Sequence, residues 1–343
     1  MAAHSDSRSA RLKPYFESRI VDSGAPLDDP ETLANFIVDG KLVAAPYHTN
    51  VGILYYRTDL LKKYGFREPP VTWDELERMA LRIQQGERAA GNRDFWGYVW
   101  PGAAGEGLTC GALEWQFDEG GGRIISPSRA VTVNNPDAIR SWERAAEWIG
   151  KISPPSVLSY QEWDAINAFK KTGNAAFFRG WASDYILAHA DPVGVVAFGA
   201  TSLPQGSSAR VATVGGYGLS VARASAHPQE AVQLIRFLLR HEAELAAERV
   251  KAGPPPFPAL FDLPPALTGY SRFHQRAAGM HCSTLARPST VAGEKYDQVS
   301  HAYIDAVHSV LSGKSTAPIA AAALEKKLVE ITGFPAKTDP TDR

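Results

Sequence analysis

Apolar positions along this chain alternate between two rhythms, and the change from one to the other marks the elements. Val51 to Tyr56 is an unbroken apolar run rich in β-branched and aromatic residues, the pattern of a strand buried on both faces. Helical text follows at once in Thr58 to Tyr64, with Thr58 or Asp59 as cap and Gly65 as stop. Before the run, Val38 to Pro46 reads as a hairpin about Asp39-Gly40. After it, Thr72 and Glu75 form a capping box for a helix with Leu76, Met79, Ala80 and Ile83 on one face. Phe95 to Trp100 predicts a strand, Pro101 to Gly107 a glycine-rich loop, and Leu108 to Phe117 a helix. Asn135 and Pro136 predict a capped helix, and Ser159 with Glu162 a second capping box before Trp163, Ile166 and Phe169. Short strands are expected at Ala175 to Phe178, Val193 to Phe198, and Val214 to Val221 with a glycine break. Helices are expected from Pro228 to Val250, Glu294 to Leu311 and Ile319 to Ile331. A stiff connector lies at Gly253 to Pro258, and a polar, disordered tail follows Gly333. Strands alternating with helices argue an α/β fold.

The 343 residues are 44% hydrophobic and 21% charged, enough for a sizeable core and for two domains or one large one. A net charge of −1 gives no reason to expect nucleic acid or a membrane surface as partner. No apolar run is long enough to span a bilayer. Eight Trp and twelve Tyr supply flat amphipathic rings, most of which belong in a core. The nine His show no metal-ligand spacing, so neither a metal nor any other cofactor is expected. Cys110 and Cys282 read as free thiols, a disulfide depending on whether the fold brings them together.

Pro46 to Arg57 reads Pro-Tyr-His-Thr-Asn-Val-Gly-Ile-Leu-Tyr-Tyr-Arg. This closely resembles the crossover segment of the bacterial extracellular solute-binding proteins, family 1, the maltose/trehalose-binding components of ABC importers. Leu12-Lys13-Pro14-Tyr15-Phe16 resembles a motif found well inside the first lobe of that family, and the resemblance extends from Leu12 to Gly333. It implies a two-lobed periplasmic-binding-protein fold of type II. Lobe 1 would hold residues 1–52 and 203–253, and lobe 2 residues 53–202 and 254–343. Met1 to Ser9 has no apolar core of a secretory signal. By the resemblance the chain is expected to be truncated, with lobe 1 incomplete at its N-terminus. The family is periplasmic or extracellular, sometimes lipid-anchored, whereas the chain as it stands would remain in the cytoplasm.

The resemblance also implies site residues for a di- or oligosaccharide, which needs rings against its C–H faces and amides, acids or Arg on its hydroxyls. Trp181, in Arg179-Gly180-Trp181, matches a stacking Trp at a strand-to-helix junction. Gly216 and Tyr217, in Gly215-Gly216-Tyr217-Gly218, match a Gly-Gly-aromatic-Gly loop, with Tyr in place of the usual Trp. Arg287, in Ala286-Arg287-Pro288, matches an Arg-Pro motif whose planar fork suits neighbouring hydroxyls. Glu106 matches an acid before a helix, and Asn50 the Asp/Asn of the crossover. All of these are expected at strand or helix ends and in one cleft between the lobes. Taken without the resemblance, Trp181 is a core residue, Arg287 a surface ion-pair partner, Glu106 a helix N-terminal acid and Asn50 a turn residue. The expected function is capture of sugar by lobe closure and delivery to a membrane permease, with no reaction. Two alternatives stand beside it. One is a glycoside hydrolase, although no pair among the 37 acids is singled out by a motif. The other is a non-functional remnant.

Overall fold

The structure is a computed structural model and describes residues 36–38, 41–184, 196–248 and 283–337. Leu12 to Phe16, the turn Asp39-Gly40, the first part of the strand expected from Val193, the connector Gly253 to Pro258, and Cys282 lie outside the described residues.

The apolar run at Val51 is the middle of a longer strand, β3 (Ala45–Arg57), and the rest of the fold is arranged about it. Two short strands precede it, β1 (Ile37–Val38) and β2 (Lys41–Leu42), paired antiparallel as the expected hairpin requires. After it come β4 (Trp96–Val99), β5 (Ala175–Trp181), β6 (Phe198–Thr201), β7 (Val211–Leu219) and β8 (Ser283–Leu285). The six-stranded sheet runs β4-β5-β3-β7-β8, and β6 also pairs with β3.

β3 changes partners partway along. From Ala45 to Val51 it pairs antiparallel with β7; from Gly52 to Tyr56 it pairs with β5, and from Leu54 to Arg57 with β6. β7 makes a similar passage: Val211 to Thr213 pairs parallel with β8, and only from Val214 onward does the strand meet β3. The core divides accordingly. One small cluster, Ala45, Val221, Val232 and Ile235, sits beneath the first half of β3 and against the helix Pro228–Glu248. The main cluster gathers Leu54 and Phe177, together with Leu203, Val211, Ala212, Leu285, Tyr303 and Leu324. Both faces of β3 are covered beyond Val51, because Leu54 enters the main cluster while Ile53 and Tyr55 enter a third one with Phe169 and Phe178. Double burial is why this stretch reads as a continuous apolar run instead of an alternation.

Five of the eight Trp are core residues: Trp73, Trp100, Trp115, Trp142 and Trp148 are all nearly inaccessible, and Trp73, Trp115 and Trp148 pack ring on ring. The helix caps follow the sequence at two positions. Thr72 Oγ1 accepts from Glu75 N (3.2 Å), starting Trp73–Ala89, although the expected capping box is only half made, since Glu75 Oε2 accepts from Val71 N (2.8 Å) and not from Thr72 N; Asn135 accepts from Asp137 N and Ala138 N, starting Pro136–Trp148.

Four local expectations are corrected. The helix Thr58–Lys63 has Arg57 as N-cap with no side-chain cap, because Asp59 is drawn to the Arg57 guanidinium (2.6 and 2.8 Å); Gly65, at φ +78°, does end that turn. The second capping box is Gln161 with Asp164, starting Glu162–Ile166, since Ser159 closes a preceding 3-10 turn. β7 runs through Gly215 and Gly216 without a break, because paired backbone needs no side chains; Gly216 adopts φ +134°, open to glycine. The described part of the tail, residues 334–337, is ordered. Val131 N donates to Pro335 O and Lys337 N to Val131 O (both 2.9 Å), so backbone pairing holds it where polarity alone suggested disorder.

Candidate functional site

The helix Glu106–Asp118, with Gly105 as N-cap, buries an apolar face, Leu108, Ala112 and Trp115, in the main core, and a second buried stripe that is not apolar. Glu106, Cys110, Glu114 and Asp118 recur every four residues, so one stripe of the helix carries three acids and a thiol. An apolar sheet would not tolerate that stripe; each acid meets donors supplied by the strands and helices across from it.

Glu106, at the exposed end, accepts from Arg287 Nη1 (2.6 Å), from the hydroxyl of Tyr296, and from Ser300 Oγ (2.5 Å). Ser300 Oγ also bonds Thr109 Oγ1 at 2.9 Å. Burial raises the Tyr296 hydroxyl above its ordinary pKa, so it is a donor here. Burial also raises the Cys110 thiol and keeps it protonated between the two charged groups; Cys110 is a free cysteine.

Two turns further on, Glu114 is sealed from solvent with Arg179 in a bidentate pair: Nη2 to Oε1 at 2.7 Å and Nε to Oε2 at 3.0 Å. Thr213 of β7 adds its N–H (2.9 Å) and hydroxyl (2.6 Å) to the same Oε1. Burial alone would lower the Arg179 pKa, but the charge and hydrogen bonds of Glu114 outweigh it and hold the value above the ordinary one. Gly52 of β3 lies over this pair, where a Cβ would run into the Glu114 carboxylate and the Arg179 guanidinium.

Asp118 closes the stripe, accepting from Val211 N (2.9 Å) and, at 3.4 Å, from Trp73 Nε1. Burial pushes its pKa up to about 9, against the bond from Val211. Folded Asp118 therefore keeps its proton to about pH 9, whereas the unfolded chain loses it near pH 4. The folded chain holds the extra proton between those values, so stability falls as pH rises through that interval. Asp118→Asn removes the titration and keeps an acceptor for Val211. Its stability relative to the parent should rise with pH between about 5 and 8.5, by at most about 1.4 kcal/mol per unit. Melting temperatures of the two proteins across that range check this, and a constant difference would refute it.

Trp181 is the last residue of β5 and is half-buried. The Arg179 guanidinium lies 4.2 Å from its ring centroid, and Gly215 lies against the six-membered ring, where a Cβ would come within 2.8 Å of Cζ3 and 3.1 Å of Cη2. Its backbone is fastened at both groups: N donates to Asp184 Oδ2 and O accepts from Tyr55 OH, each at 2.7 Å. Burial pushes the Asp184 carboxyl up to about 6, while the bond from Trp181 N pulls the other way. Asn50 stands opposite Gly215 on β3 and is buried; its amide donates to Ser183 Oγ (2.8 Å) and accepts from Ser183 N (3.2 Å), pinning the turn after Trp181. Tyr217 is 71% exposed, two residues along β7 from Gly215.

The six residues marked in the sequence thus fall into two groups. Asn50, Trp181, Gly216 and Tyr217 cluster where β3 passes from β7 to β5, while Glu106 and Arg287 bond each other at the helix N-terminus. Eight residues of helix separate Glu106 from Glu114, about 12 Å, and the polar stripe joins the groups. Glu106, Trp181 and Arg287 lie at or beside element ends as expected. Asn50 and Tyr217 do not: both sit inside paired strands, because β3 and β7 continue through the polar and glycine-rich positions that read as ends. Sequence reasoning missed Arg179, Glu114, Tyr296 and Ser300. The recurrence of Glu106, Cys110 and Glu114 at helical spacing was the available signal. A separate groove of about 530 Å³, between Tyr296–Leu311 and Ala317–Thr332, includes none of the six. Among the described residues there is no cluster of metal-ligating side chains, and no helix is long and apolar enough to cross a membrane.

A strand shared between two groups of partners, with aromatic and polar side chains gathered at the passage, is the arrangement of a two-lobed α/β binding protein. The profile of the bacterial extracellular solute-binding proteins matches residues 10–245, and the chain belongs to that family. It is 40% identical over 306 residues to a probable ABC transporter-binding protein of Deinococcus radiodurans, covering 89% of this chain and 72% of that protein. Among solved structures it is similar to maltose-bound MalE3 of T. maritima, with 33% identity, a TM-score of 0.79, and coverage of 88% of this chain and 76% of the other. It also shares its fold with a solute-binding protein of Agrobacterium radiobacter K84 in complex with ribitol, at 22% identity and a TM-score of 0.76, covering 95% and 80%. The fold is the two-lobed one expected, and the chain is a solute-binding protein of the ABC-transporter class; its family is extracellular and is one of binding proteins, not enzymes.

Proposed function

We propose that this protein binds a di- or oligosaccharide between its two lobes, catalyses no reaction, and hands the sugar to the permease of an ABC importer. The observation that carries the reading is the placement of Trp181. Its ring is held at the end of β5, half-buried, beside the point where β3 exchanges β7 for β5. A flat ring fixed at a passage between lobes is what stacking on a sugar requires. Tyr217, across β3 on β7, supplies a second ring with a hydroxyl, and Gly216 the backbone freedom beside it. Glu106, backed by Arg287, offers charged donors and acceptors at the N-terminus of the helix that carries Glu114. Asn50 contributes by holding Ser183, which supports the turn that follows Trp181.

In this reading lobe 1 is drawn as far as Val51 and lobe 2 from Gly52, one residue earlier than the resemblance implies, since the partners of β3 change between Val51 and Gly52. The return to lobe 1 is drawn at Val214 instead of Leu203, because Leu203, Val211 and Ala212 pack in the main cluster. Closure about β3 and β7 bridges the sugar and forms the surface that a permease reads. The absence of turnover is supported by how the nearby acids are used: Glu114 and Asp118 are sealed, and Glu106 is held by Arg287, Tyr296 and Ser300. The site would work outside the membrane, where the family works.

Titration of the purified chain with maltose, trehalose and maltotriose tests the reading by melting temperature and tryptophan emission. A sugar at 100 times its Kd should add about 2.7 kcal/mol of stability. A response to none of these, or release of monosaccharide from any of them, would overturn it.

A further inference from the structure

Trp181 is held by a device that makes no contact with the proposed sugar. We propose that Arg179 and Glu114 are positioning residues for ligand binding: together they hold the Trp181 ring in the one orientation in which it meets a sugar ring. The inference rests on the reading of Trp181 as a sugar platform.

The geometry is specific. Arg179 and Trp181 alternate along β5 and therefore project to the same side of the strand. The guanidinium lies over the ring at 4.2 Å, and its own plane is fixed by the Glu114 fork and by Thr213 Oγ1 at 3.2 Å. Gly215 leaves room for the six-membered ring and Gly52 for the ion pair. The stack of Glu114, Arg179 and Trp181 therefore ties a helix, β5 and β7 to one ring orientation. A lysine at 179 would keep the charge but lose the planar fork that engages both Glu114 oxygens.

An ion pair this deep could serve stability alone, so the test must read the ring. The double variant Arg179→Met/Glu114→Leu removes both charges together, a change that often leaves stability intact. Four full-length proteins complete the cycle: the parent, Trp181→Ala, the double variant and the triple variant. With maltose as probe, the double variant should weaken binding at least tenfold, whereas in the Trp181→Ala background the same pair of changes should alter Kd less than twofold. Arg179→Lys in the same two backgrounds should repeat the pattern at about fivefold, and it stands in if the double variant does not fold. The second readout needs no ligand. The Trp181 emission, taken as the difference between each protein and its Trp181→Phe counterpart, should shift in maximum and in accessibility to acrylamide. Equal losses of affinity in both backgrounds, or an unchanged Trp181 difference spectrum, would overturn the positioning role. A Trp181→Ala protein that binds maltose as the parent does would instead refute the platform itself, and the inference with it.

Discussion

Glu114→Ala should lower the unfolding free energy by about 3–5 kcal/mol, the usual cost of removing one partner of a buried ion pair. The alanine leaves the Arg179 guanidinium sealed at 1% exposure without a counter-charge, and it strips the Thr213 N–H and hydroxyl of their acceptor. Domains are stable by only about 5–15 kcal/mol, so this is a large share of the total. A fall in melting temperature on the order of 10 °C should follow, with a matching drop in the urea midpoint. Glu114→Gln, which keeps an acceptor of the same shape, should fall between the alanine variant and the parent. A Glu114→Ala protein melting within 2 °C of the parent would show that water reaches Arg179, and that the stripe on this helix is not a buried network.

That network was the part of the molecule hardest to see in the sequence. The βα alternation and the β3 run were legible, because double burial writes itself as an unbroken apolar segment. The caps at Thr72 and Asn135 were legible too, because the chemistry is local. The stripe Glu106, Cys110, Glu114 and Asp118 was not, since its partners come from β5, β7 and the helix at Tyr296, all distant in sequence. A helix with acids on its buried face looks merely mixed until those donors are in place. In the helix Glu162–Ile166, Trp163 is 64% exposed while Ile166 is buried, because the first turn faces solvent. For the candidate site, the resemblance marked six residues, and the geometry adds why they differ. Asn50 and Arg287 are occupied by protein partners, whereas Trp181 and Tyr217 keep ring surface accessible.

Trp181→Ala should therefore weaken sugar binding far more than any change at Tyr217. Residues that dominate recognition are typically aromatic, packed in a supported position, and worth 2 kcal/mol or more when truncated, which is about thirtyfold in Kd. Trp181 has that support: Arg179 over its ring, Gly215 against the six-membered ring, Asp184 and Tyr55 on its backbone. Tyr217→Phe keeps the ring and removes one hydroxyl at a position 71% exposed, so its effect should stay below about threefold, the size of one solvated hydrogen bond. Arg287→Lys should lie between them. It keeps the charge beside Glu106 and loses the planar fork, and the Glu106 carboxylate would then be set only by Tyr296 and Ser300. Isothermal titration of the three variants against the same sugar, with melting temperatures to confirm folding, gives the order directly. If Tyr217→Phe costs more than Trp181→Ala, the sugar rests on β7 and not on the end of β5.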